Sequence, residues 1–137
     1  DGIRRSQRLL LTWLIETPAL FEKIEGIITA DDFVENLYHQ VAQMVFDGHR
    51  EGNLNPAAIL SRFINDEDQY KEVAALFNAS LKESLNNEEQ KKAFSETVMK
   101  VRKNSLDVAS RNAKDITQLQ EIIRQQAALK QLHISLD

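Results

Sequence analysis

Residues 4–26 read RRSQRLLLTWLIETPALFEKIEG, and this stretch decides the fold class. Leu10, Trp13 and Leu14 recur at three- and four-residue spacing, which predicts a helix over about Arg4 to Glu16 with one buried stripe. A residue before proline is steered away from α geometry, so the helix stops ahead of Pro18. Thr17-Pro18 then has the form of an N-cap followed by proline at the first helical position, opening a short helix through Leu20, Phe21 and Ile24 that ends at Gly26.

The same grammar continues downstream. Thr29 caps the next helix, Asp32 supplies the acidic half of a capping box, and Asp31 favours the same helix dipole. Phe33, Leu37, Val41, Met44 and Val45 give that helix a continuous apolar face before it frays around Gly48 to Gly52. Asn55-Pro56 repeats the cap-and-proline start for a helix burying Ile59, Leu60, Phe63 and Ile64. Another follows from about Asp66, burying Tyr70, Val73, Ala74 and Phe77.

Asn87, Glu88 and Glu89 start a long helix whose apolar positions Phe94, Val98, Val101, Leu106 and Ala109 run beyond what a small bundle needs, so it is expected to leave the body. Asp115 or Thr117 caps a last helix with Leu119, Ile122, Gln126, Leu129, His133 and Leu136 on its seam, the antiparallel-pair pattern.

The expected architecture is all-α: a bundle of about five to six helices over residues 1–100, then a C-terminal helical hairpin over residues 101–137 that shares the long helix. Only 4 Gly and 2 Pro interrupt 137 residues, in keeping with long helical segments.

Composition narrows function. With 42% hydrophobic and 28% charged residues the chain suits a folded domain. Residues 1–99 hold 10 Lys/Arg and 17 Asp/Glu, whereas residues 100–137 hold 7 and 4, so an acidic body carries a mildly basic tail. The absence of Cys excludes disulfides, thiolate catalysis and Cys-ligated zinc. No apolar run approaches the roughly 18 residues of a membrane span, and no signal-peptide apolar region follows Arg4 and Arg5. A cytoplasmic location is expected. The chain begins Asp1-Gly2 without an initiator Met, so it is also expected to be a fragment of a longer protein.

Catalytic constellations are not legible. The three His, at positions 39, 49 and 133, show neither i, i+4 pairing nor an HExxH context, and no triad can be assembled from them. The four glycines stand outside any phosphate-loop spacing. The acidic trio Asp66, Glu67 and Asp68 reads as dipole compensation in a first helical turn more readily than as a metal site. Asp31-Asp32 and Glu88-Glu89 likewise read as caps. Lys100, Arg102, Lys103, Arg111, Lys114, Arg124 and Lys130 are widely spaced and no aromatic residue follows Phe94, which supports a solvated face rather than specific nucleic-acid readout.

The last helix carries a second apolar set, Ile116, Ile123, Ala127 and Ile134, at steps of seven, four and seven. The two stripes together cover roughly half its circumference, more than pairing with one neighbour uses. The surplus folds against the bundle, meets a second copy, or forms a docking edge. For the docking alternative the candidate residues are Ile116, Ile123, Arg124, Ala127, Lys130 and Ile134.

Read in order, RSQRLLLTWLIETPALFEKI, ITADDFVENLYHQVAQMVFDG and LNPAAILSRF resemble the C-terminal domain of bacterial DnaG-type DNA primases. In that family a leucine run ends in a proline-containing turn, an acidic-capped "DDF" opens the third helix, and a loop restarts on a short apolar helix. These correspond to Leu9 to Ile15, Thr17-Pro18, Asp31-Asp32-Phe33, and Asn55-Pro56 to Phe63. The resemblance is most specific over residues 4–64; after Asn87 only the layout of long helix and hairpin remains.

The resemblance implies a non-catalytic module, monomeric or weakly dimeric alone, that binds the N-terminal domain of the hexameric replicative helicase and stimulates it during priming. No cofactor is implied for this segment. Zinc and Mg would belong to other domains of the parent nucleotidyltransferase. The N-terminal domain of the DnaB-type helicase has a related bundle and hairpin and is the alternative reading, beside an unrelated helical interaction module.

Overall fold

The computed structural model describes residues 2–81 and 84–136, so the outermost residues of both expected parts, Asp1 and Asp137, lie outside the described residues. The fold is all-α, and among the described residues there is no strand. Helix α1 spans Gly2–Glu16, and its Leu10, Leu11 and Leu14 are fully buried. The proline break behaves as expected, with a 3-10 turn at Pro18–Leu20 leading into the single turn of α2, Phe21–Ile24. Gly26 takes φ +80, a conformation that side-chain-bearing residues disfavour. Thr17, expected to cap this segment, makes no side-chain cap bond.

The segment expected as one helix from Thr29 to Val45 is two pieces. The Asp32 carboxylate accepts the Thr29 N–H at 2.8 Å and the Thr29 hydroxyl accepts the Asp31 N–H at 3.3 Å, closing the predicted capping box on a 3-10 turn, Ala30–Asp32. Phe33 then leaves helical geometry at φ −87, ψ 91, with its side chain fully buried. Helix α3 starts afresh at Asn36–Glu51, capped by the Glu35 carboxylate on the Tyr38 N–H at 2.9 Å. It ends on Gly52 at φ +75, the left-handed position that closes many helices.

Asn55 and Asp66 cap α4 (Pro56–Ser61) and α5 (Glu67–Asn78) through the N–H groups of Ala58 and Gln69. α4 buries Ile59, with Phe63 buried just past its end, and α5 buries Val73 and Leu76. Ile64 and Tyr70, expected inside, are exposed instead.

Helix α6, Asn87–Arg111, begins with a complete capping box between Asn86 and Glu89, one residue earlier than the sequence suggests. It runs antiparallel to α1: the Trp13 and Phe94 rings meet edge-on at 6.1 Å, while Gly2 and Arg5 border the same cavity as Thr97 and Lys100. Phe94, Thr97, Val98, Val101 and Leu106 are all buried. The long helix was expected to leave the body, yet it is a central core element through Leu106.

Helix α7, Ile116–Lys130, is capped by Asp115 on the Gln118 N–H at 2.8 Å and returns antiparallel along α6, with Gln126 Nε2 donating to Asp107 at 3.2 Å. It ends at Lys130, short of the expected Leu136. Residues 132–136 are non-helical, and Ile134 and Leu136 pack against the bundle core.

Leu14→Ala would open a void in the core at the fully buried stripe of α1. A loss of about 3 kcal/mol is expected, read by urea denaturation.

Candidate docking site on the last two helices

Arg102 joins the bundle to the hairpin. From α6 its Nη1 donates to Asp32 Oδ1 at 2.7 Å, and its Nη2 donates to Gln125 Oε1 of α7 at 3.3 Å. Asp32 is only 4% exposed, so its charge depends on this guanidinium and on the Thr29 N–H at its other oxygen. Neither Asp32 as an ion-pair partner nor Gln125 as a bridge is recoverable from spacing alone, because the pair is 70 residues apart.

A second polar cluster ties α1, α3 and α5. Arg4 donates to Glu35 at 3.1 Å and to Glu72 at 3.4 Å, and its guanidinium lies 5.0 Å from the Tyr38 ring centre. The Tyr38 hydroxyl donates to Glu72. Burial, with that hydrogen bond, pushes the Tyr38 hydroxyl up to about 12. The same hydrogen bond, with Arg4, holds the Glu72 carboxyl below its ordinary range. The fully buried Gln7 accepts the Glu35 N–H at 3.0 Å and completes the junction.

None of the histidines is held in a catalytic arrangement with another titratable side chain among the described residues. His39 Nδ1 lies 3.0 Å from the Ala30 carbonyl, the His49 ring stacks on Phe21 at 4.0 Å, and His133 is exposed in the tail. Asp66 is spent as a cap. No group of three or more His, Cys, Asp or Glu that could hold a metal ion occurs among the described residues.

The structure brings five of the six candidate docking residues together. None of the α7 residues is buried. Ile116 is 71% and Ile123 52% exposed, and Arg124, Ala127 and Lys130 are exposed along the same helix. Arg124 is engaged within α7 by Glu121, whose carboxyl it holds below the ordinary range. Ile134 does not share this edge: it lies past the end of the helix, half-buried against the core. It reaches the core from the non-helical tail together with Leu136.

Sequence reasoning missed a cleft beside the edge. Met99, Lys100 and Lys103 of α6 and Leu129 and Lys130 of α7 border a space of about 450 Å³, with Gln126 and Asp107 also contributing to its wall. Spacing alone places these lysines on a solvated face, since nothing in it shows that two helices bring them around a common hollow.

No protein-family model matches the chain, and no curated protein or solved structure matches it either.

Two outcomes are expected. Arg102→Leu should destabilise the fold by roughly 2 kcal/mol, less than for a fully buried pair because the arginine is part-exposed, and should speed amide exchange in α7. Tyr38 and Glu72 predict opposite pH limbs. A raised acid pKa gives stability that is complete below pH 10 and is lost toward pH 12, whereas the lowered Glu72 pKa gives stability lost as pH falls below 4.5 through its folded value. Thermal melts against pH should show both limbs, and Tyr38→Phe should flatten the alkaline one.

Proposed function

We propose that this chain is a non-catalytic helicase-docking module of a bacterial DnaG-type DNA primase, whose partner is the N-terminal domain of the hexameric replicative helicase. The observation that carries the docking half of this reading is the outer edge of α7, where Ile116 and Ile123 stand exposed on a helix with no buried residue. Large apolar side chains on a helix already seated on one neighbour contribute nothing to folding there, and they suit helix-to-partner contact.

The identity of the partner rests on the sequence resemblance over residues 4–64. In this reading the hairpin supplies affinity and the acidic bundle modulates the helicase, at the replication fork in the bacterial cytoplasm. Primer synthesis, with its zinc and Mg, belongs to other domains of the parent protein.

Titration calorimetry of the chain into the replicative helicase hexamer tests the reading, with light scattering of the chain alone as control. Saturable binding at about 1 μM or tighter, equivalent to roughly −8 kcal/mol, is expected from a monomeric chain. Ile123→Glu should weaken it by at least about tenfold, the loss of a central apolar anchor. Stable self-assembly through the same edge, with no helicase binding, would instead assign the chain to the helicase's own N-terminal domain.

A further inference from the structure

The apolar edge of α7 and the neighbouring cleft form one continuous surface. Ile116, Ile123 and Lys130 follow one another at intervals of seven, so they lie on a single line along the helix with a drift of about 20° per step. Lys130 at the end of that line is also a wall of the α6/α7 cleft. Across the cleft stand Lys100 and Lys103, and the apolar surface between them is supplied by the half-buried Met99 and Leu129.

Charge is unbalanced in this cleft. Its one carboxylate, Asp107, already accepts hydrogen bonds from Lys103 at 3.0 Å and from Gln126 at 3.2 Å. Among the described residues, neither Lys100 nor Lys130 has a carboxylate partner. Two lysines beside an apolar floor, Lys100 and Lys130, therefore present positive charge without a carboxylate partner, with Lys103 held by Asp107 between them, on a chain whose remainder is acidic.

We infer that the α6/α7 cleft seats an acidic amphipathic helix of the partner protein, with its apolar stripe along Ile116, Ile123, Leu129 and Met99 and its carboxylates on Lys100 and Lys130. This deepens the docking reading above and rests on it for the partner's identity, but the chemistry of the occupant follows from the cleft. A helix set in a groove between two helices is an established mode of recognition, and the unbranched Met99 adapts its shape to such an occupant. The lysines select for acidic partners and orient them, while the isoleucines supply buried apolar area.

The experiment has two arms. In the first, the isotope-labelled chain is titrated with a synthetic helical peptide of leucine and glutamate in heptad spacing, and with its lysine-for-glutamate counterpart, while amide resonances are followed. Saturable shifts at Met99, Lys100, Ile123, Leu129 and Lys130 with the glutamate peptide alone are expected. The Lys100→Glu/Lys130→Glu double variant, its fold checked by circular dichroism, should bind that peptide at least about tenfold more weakly.

In the second arm the same variant is titrated into the replicative helicase hexamer beside Ile123→Glu. A comparable loss, steeper at low salt, is expected from the charge reversal. Absent shifts in the cleft, or equal binding of both peptides there, would overturn the inference whatever the helicase does. Helicase binding that is weakened by Ile123→Glu but untouched by the charge reversal would overturn the cleft as the partner's seat. Peptide binding in the cleft without any helicase binding would sustain the inference and remove the helicase as the partner.

Discussion

The position of the hairpin depends on one nearly buried carboxylate. Asp32 is committed at both oxygens, to the Thr29 N–H within its own turn and to Arg102 seventy residues on. Taking an aspartate out of water costs several kcal/mol and is tolerated only where hydrogen bonds and an opposite charge replace the lost hydration. The 3-10 turn therefore has to bring Asp32 to α6, and the long helix has to bring Arg102 to the turn. Gln125 reads the second nitrogen of the same guanidinium, so the orientation of α7 is set by the group that neutralises Asp32.

The long helix belongs to both parts. From Phe94 to Leu106 its inner face is core, closed by α1 with Trp13 edge-on to Phe94. Its other face receives α7. Beyond Lys130 the tail lays Ile134 and Leu136 back on the bundle, so α7 is tied to the body at its middle by Gln125 and after its end by two apolar side chains. An edge held in this way loses little conformational freedom when a partner covers it, which lowers the entropic cost of association.

The parts of this arrangement that are local were legible in the sequence. The Asn55-Pro56 start, the Thr29/Asp32 box and the end of α3 around Gly48 to Gly52 each involve residues within about four positions, where spacing determines geometry, while Thr17-Pro18 breaks the helix without the expected cap bond. What escaped was decided by distant partners. Phe33 continues a helical apolar pattern on paper, but it leaves the helix because its ring is drawn into the core beside Phe46, 5.9 Å away. Leu136 fits a three-and-four seam by count, but the helix ends at Lys130 and Leu136 packs on the bundle core from the non-helical tail. The cleft lysines belong to two helices joined by a short turn, so their convergence is a tertiary fact.

The distribution of charge on the docking surface separates affinity from selection. Arg124 is tied to Glu121 on the adjacent turn, and such an exposed pair contributes little to stability while removing a free charge from the edge. The edge itself is thus left to Ile116 and Ile123, whose burial against a partner would be worth about 25 cal/mol for each Å² removed from water. The unpaired lysines lie to one side, around the cleft, where salt weakens their pull and where the distance to an approaching carboxylate sets its strength. A partner with an apolar stripe but no acidic flank could cover the isoleucines, but it would leave the ammonium groups of Lys100 and Lys130 facing its surface without counter-charges. Discrimination among amphipathic helices therefore falls to the cleft, shared between α7 through Lys130 and α6 through Lys100, the latter on the helix that also closes the core.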